Sequence, residues 1–186
     1  TEYVVPDVLE EVEPTIESFR KWEEKYHDLP GKKIGVVQGK TLEELRTCYQ
    51  FMSQNADKIA LSFNYSWYEK RFPHTNPCTS WMLGRAALIS DLRVMGVLNI
   101  RKPHHLLGCS NPEEYTFYRK DYDFIESVDT SSPVVHAIKG VAYPDDWTRW
   151  KKESVKLVDL IKTPREKIDD VILQFNLKRF RGLIDA

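Results

Sequence analysis

Phe124-Ile-Glu-Ser-Val-Asp129-Thr-Ser-Ser-Pro-Val-Val-His136 is an apolar, strand-like run that delivers a carboxylate straight into a turn. In sheets of parallel strands joined by helices, side chains just past the C-terminal strand ends converge on one open face, and reacting groups collect there. Two earlier stretches repeat the layout. Tyr3-Val-Val-Pro-Asp7 ends on an acid, and Ile34-Gly-Val-Val-Gln38-Gly39 ends on an amide and a glycine. Asp7, Gln38 and Asp129 are therefore expected to share one face and to meet in one pocket on the order of 10 Å across, the scale of a small-ligand site.

The segments between these runs read as helices. From Val8 to Tyr26, Val8, Val12, Ile16, Phe19 and Trp22 recur at helical spacing. Leu29 to Lys33 is a turn, and Thr41-Leu-Glu-Glu44 is a capping box opening a helix to about Asn55. Lys58 to Phe63 reads as a strand. The aromatic stretch Asn64 to Ser80 reads as a loop too long for a plain connector, of the kind that binds something. Trp81 to Val97 is helical in period, His104 to Gly108 is a short strand, and Asn111-Pro-Glu-Glu114 predicts a capped helix. After Asp129, helices are expected over Asp145 to Lys162 and Pro164 to Asn176, with no further strand.

Strands alternating with helices imply a parallel sheet, because a parallel pair needs a crossover connection. A closed eight-stranded barrel typically needs ~250 residues. The expected fold is α/β, a partial or open TIM-barrel-like parallel sheet of about five β-α units with extra C-terminal helices. A single domain over 1–186 is expected, with β-α units over 1–142 and a helical segment over 143–186.

No run approaches the ~18 apolar residues of a membrane span. With no secretory leader and no Cys-x-x-Cys among Cys48, Cys78 and Cys109, a reducing cytoplasm is expected, with neither disulfides nor a zinc site. A net charge of −1 gives no global attraction for a polyanion. The basic clusters Lys151-Lys152 and Lys178-Arg-Phe-Arg181 are solvated helix faces or, on a nucleic-acid enzyme, backbone contacts. The chain has no Gly-rich phosphate loop, and no cofactor is expected.

Each candidate also has a structural reading. Asp7 could start the first helix, and Asp129 could cap the helix entered near Pro133. Gln38-Gly39 could be a plain turn. His104 and His105 begin a strand, the wrong end for catalysis, and read as packing or surface residues. His136 has no partner spacing, and Cys109 reads as a buried small hydrophobe.

Between about Tyr3 and Ala142 the chain resembles the tRNA-guanine transglycosylases and their DNA-acting relatives that insert 7-deazaguanine bases. The resemblance lies in Pro6-Asp7-Val8-Leu9-Glu10, Val37-Gln38-Gly39, Lys102-Pro-His-His-Leu-Leu-Gly108, the Pro-Glu-Glu helix start and Glu126-Ser-Val-Asp129-Thr130, in that order. Asp-Thr-Ser-Ser-Pro is similar to the DNA-acting branch. The resemblance implies that Asp129 attacks the sugar C1′ to form a covalent intermediate, and that Asp7 accepts from the N–H groups of a guanine-type base. It further implies that Gln38 donates to the base carbonyl and that Gly39, Gly108 and Phe63 line the substrate, with Tyr65 and Trp67 further aromatics for an unstacked base. The implied partners are DNA or tRNA and a deazaguanine-type base. The family's further carboxylate lies in a strand upstream of the matched segment. Its Cys/Cys/Cys/His zinc motif has no counterpart here, and Ser62-Phe63-Asn64 stands where the tRNA enzymes carry paired glycines. A catalytically incomplete module that binds without turnover is the alternative expectation. Open sheet edges would also suit a homodimer or a partner chain that completes the barrel.

Overall fold

The computed structural model describes residues 1–109, 111–118, 122–146, 153 and 157–184. Five parallel strands, β1 (Glu2–Val4), β2 (Lys32–Val37), β3 (Lys58–Leu61), β4 (His104–Leu106) and β5 (Ile125–Val128), lie side by side in sequence order. The sheet curls into a half-barrel flanked by helices. Each strand joins its neighbour through a crossover, so all the strands point the same way and their C-terminal ends form one rim.

Period-two alternation separates the two faces of the sheet. Val5, Val37, Ile59, Leu61 and Leu106 join the helix-packed core. Into it α1 (Val12–Tyr26) sends Phe19, α2 (Leu42–Asn55) sends Leu45, Cys48, Tyr49 and Met52, and α4 (Pro77–Val94) sends Leu88, Ile89 and Leu92. Ile34, Val36 and Ala60, with Leu107 against them, form a separate cluster on the other, concave face. The C-terminal helix α7 (Asp170–Ile184) reaches the same main core through Phe180, which packs edge-on against Tyr115, while Asn176 accepts from Tyr143 N and donates to Val141 O.

The local expectations meet tertiary demands at several points. The capping box of α2 forms as the sequence implies: Thr41 Oγ1 accepts from Glu44 N, and Glu44 returns to Thr41 N. By contrast, α1 starts at Val12 rather than Val8. Glu10 takes a left-handed φ of 58°, and Thr15 Oγ1 ties both backbone groups of Val8 into a loop. The stretch 64–80 is not one long loop. It holds α3 (Ser66–Arg71) and the first turn of α4, with Asn76 Oδ1 capping Cys78 N and Pro77 at the start.

The segment after Asn111 forms a 3-10 helix, Pro112–Tyr118, rather than the α-helix its cap predicts. Its Glu114 does not return to the cap because it pairs with a buried arginine, Arg85. Near the C-terminus, the region expected as one helix from Asp145 falls partly on 147–152 and 154–156, outside the described residues. There α6 (Leu157–Lys162) is described, but Lys151 and Lys152 are not. The helix expected from Pro164 begins instead at Asp170, after a 3-10 turn Arg165–Lys167, with Asp169 Oδ1 capping Ile172 N.

Candidate functional site at the strand ends

Where β4 and β5 end, the rim carries a hydrogen-bonded carboxylate and imidazole, Asp129 and His105. Asp129 follows β5, its backbone N–H reaching Leu106 O at 3.4 Å. Its Oδ1 accepts from Gly108 N at 2.9 Å and faces His105 Nε2 at 3.0 Å. Its carboxylate is not a helix cap. The helix α5 (Ser132–Ile138) starts beyond it with Ser131 at the cap position, and Thr130 Oγ1 accepts from Ser132 N. The His105 ring beside Asp129 holds its carboxyl below the usual range, helped by the Gly108 N–H and opposed by partial burial. The side chain is 58% exposed, so an ionised carboxylate faces open space.

Gly108 can present its amide because it is glycine. Its φ of 61° is left-handed, and a Cβ there would lie 2.5 Å from the Phe63 ring. Beneath it, Arg85 projects from α4 with no exposure and uses all five N–H groups. Nε and Nη2 grip Glu114 at 2.6 Å each, Nη1 reaches Leu61 O and Leu107 O, and Nη2 reaches Gly108 O at 2.9 Å. Tyr118 donates to Glu114 as well. The arginine thus clamps the C-terminal ends of β3 and β4 and orients the turn whose amide meets Asp129.

Behind Asp129 a polar line runs along the concave face. His105 Nδ1 lies 2.9 Å from Ser127 Oγ, and Lys58 Nζ lies 3.5 Å from the same hydroxyl. Lys58, its side chain only 3% exposed, also pairs with Glu2 and Glu126 at 2.8 Å each. Burial works against its charge, but Glu126 and Glu2 outweigh it and the pKa is raised.

At the far edge of the same rim, Gln38 is buried, and both ends of its amide are engaged. Nε2 donates to Asp7 Oδ2, and Oε1 accepts from Glu10 N at 2.8 Å. Gln38 therefore orients Asp7. Asp7 itself is exposed and lies outside the first turn of α1. Gly39 is buried, and a Cβ there would stand 2.8 Å from Leu45 N, so the glycine permits the close approach of α2. Tyr65 is wholly buried and donates to Val37 O, while Phe63 stays half-buried against Gly108, edge-on to Trp81 at 5.2 Å. Asp7 and Asp129 are four strand spacings apart, about 19 Å along the arc at ~4.8 Å per strand, and the curl shortens the straight line.

His105 is the residue the sequence reading missed. Because β4 spans only three residues, its start is close to the rim, and a register shift between His104 and His105 pairs His105 with Ser127. His104 is a packing residue as expected: it is fully buried, bonded to Tyr49 and stacked on its ring. His136 is also buried, its Nδ1 lying 2.7 Å from Ser132 O. Cys109 is buried too, its thiol pushed up to about 12. Arg85 left one signal in the sequence, a charge inside the apolar stripe of α4.

Among the described residues no group of His, Cys, Asp and Glu is placed to hold a metal ion, and no helix is long and apolar enough to cross a membrane. No known protein-family model matches the chain, and neither does any curated protein.

Proposed function

We propose that the chain is a transglycosylase-type enzyme that replaces a guanine-type base in nucleic acid, DNA rather than tRNA, with a 7-deazaguanine-type base. The observation that carries this reading is Asp129, an exposed carboxylate held ionised at a parallel-strand rim, with one oxygen fixed and the other open. In the first step an Asp129 oxygen bonds to the sugar C1′, the C1′–N bond breaks, and its electron pair leaves with the old base, which takes a proton from water. In the second, the ring nitrogen of the incoming base attacks C1′, gives its proton to water and returns the carboxylate. Two inversions give retention. Asp7, oriented by Gln38, accepts from the base N–H groups. The order of motifs shared with the base-exchange family supports the same roles.

Binding without turnover is the second reading, and one observation favours it. Gln38 and Tyr65, two groups expected to hold a base, are engaged with protein partners. The test is incorporation of a labelled 7-deazaguanine into duplex DNA or tRNA. The wild type is expected to incorporate, and Asp129→Asn is not. Asp7→Ala should weaken incorporation roughly 10- to 100-fold, the worth of one charge-assisted hydrogen bond. Incorporation undiminished by Asp129→Asn would overturn the role of Asp129. Binding of nucleic acid with no incorporation by the wild type would establish the second reading.

A further inference from the structure

Lys58, Ser127 and His105 stand in line behind Asp129, and the direction of the hydrogen bonds along that line is fixed from one end. An ammonium group has donors and no acceptor, so across the 3.5 Å to Ser127 Oγ Lys58 can only donate. The Ser127 oxygen has a second acceptor site, so the direction is set at the other end, where the ionised Asp129 carboxylate can only accept and His105 Nε2 must donate. A neutral imidazole carries one N–H, so with Nε2 donating to Asp129 Oδ1 at 3.0 Å, Nδ1 accepts from the Ser127 hydroxyl 2.9 Å away. The charged groups facing the ring are Asp129 from β5, Lys58 from β3 and Glu2 from β1, while Glu126 is turned to Lys58.

We propose that His105 is the positioning residue of Asp129: its Nε2–H, with the ring held at Nδ1 by Ser127, joins the Gly108 amide in making Oδ1 the receiving oxygen and Oδ2 the attacking one. The role in catalysis rests on the base-exchange reading; the tautomer does not. The two donors act differently on the two steps. In the first, Oδ2 forms the bond to C1′ and Oδ1 becomes the ester carbonyl, so N–H groups that stabilise the free carboxylate slow the attack. In the second, the C1′–Oδ2 pair returns to the carboxylate and charge grows on Oδ1, where both N–H groups already point. His105 therefore speeds release of the intermediate at the expense of its formation. A residue that merely held the fold would change both steps together.

Two measurements on the full chain test this. Long-range 15N NMR of the histidine rings at pH 8 is expected to show the His105 proton on Nε2. A ring protonated on Nδ1 alone in the wild type overturns the proposal whatever the activity. With DNA and labelled 7-deazaguanine, His105→Phe should lower turnover about 10-fold or more, the worth of one hydrogen bond to a charged group, while the share of enzyme trapped as the covalent adduct rises. His105→Gln, which keeps an N–H in reach, should return both towards the wild type. Turnover and adduct falling together in His105→Phe overturns the proposal. If the wild type forms no adduct, the base-exchange reading fails, and 13C titration of the Asp129 carboxyl decides: its midpoint is expected to rise in His105→Phe, and an unmoved midpoint overturns the positioning role.

Discussion

At the scale of single residues, Gly108 and His104 sit within five positions of each other and are constrained for different reasons. Gly108→Ala forces a side chain into a left-handed backbone and onto the Phe63 ring. The expected cost is about 1–3 kcal/mol, measured by urea unfolding, and Phe63→Ala in the same chain should recover only the steric part. Burial pushes the His104 ring down to about 4. In the unfolded chain the same ring takes a proton near 6.5. The unfolded state therefore binds the extra proton first, and stability falls as pH drops from about 6.5 towards 4. Between pH 7 and pH 5 this residue should cost the wild type about 2 kcal/mol. His104→Gln should lack that part of the loss, and equal losses in the two chains would contradict it. The two histidines also mark what the sequence can carry. Alternation along a strand sends His104 and His105 to opposite faces, but which of them reaches a carboxylate depends on the bulge that sets the β4–β5 register, and that leaves no local trace.

Among the elements, the Arg85–Glu114 pair joins α4, the 3-10 helix and the ends of β3 and β4. Arg85→Met strands a buried carboxylate and three carbonyls, and should cost about 3–5 kcal/mol in urea unfolding. Pairing it with Glu114→Leu removes the stranded charge, yet Leu61 O, Leu107 O and Gly108 O remain without their donor. The double variant should therefore recover only part of the loss, and full recovery would show that the carbonyl bonds contribute nothing. This clamp also explains why the cap at Asn111 misled: Glu114 had the right spacing for a capping box but a stronger partner across the molecule. Where no such competitor exists, as at Thr41 and Glu44, the local pattern and the structure agree. The parallel sense of the strands was legible for a similar reason, since each short strand is followed by a helical crossover.

Over the whole molecule, the open curl of the sheet places the chemistry. Parallel strands bring Asp7 and Asp129 to one rim, while β1 and β5 each pair on one side only among the described residues, leaving the arc open between them. One end of the arc offers a fixed, ionised carboxylate and the other a carboxylate oriented by a buried amide. The sequence carried the positions of both acids, because each ends an apolar run. It did not carry the side chains that hold them, since those contacts come from residues far away in the chain. In the proposed exchange, Asp129 bonds to the sugar. The most direct measurement is mass spectrometry of peptides from protein denatured during exchange, using guanine-containing DNA, tRNA and a 7-deazaguanine base. A nucleic-acid adduct on the peptide bearing Asp129, absent from Asp129→Asn, is the predicted result. An adduct on another residue, or one that survives Asp129→Asn, would contradict it.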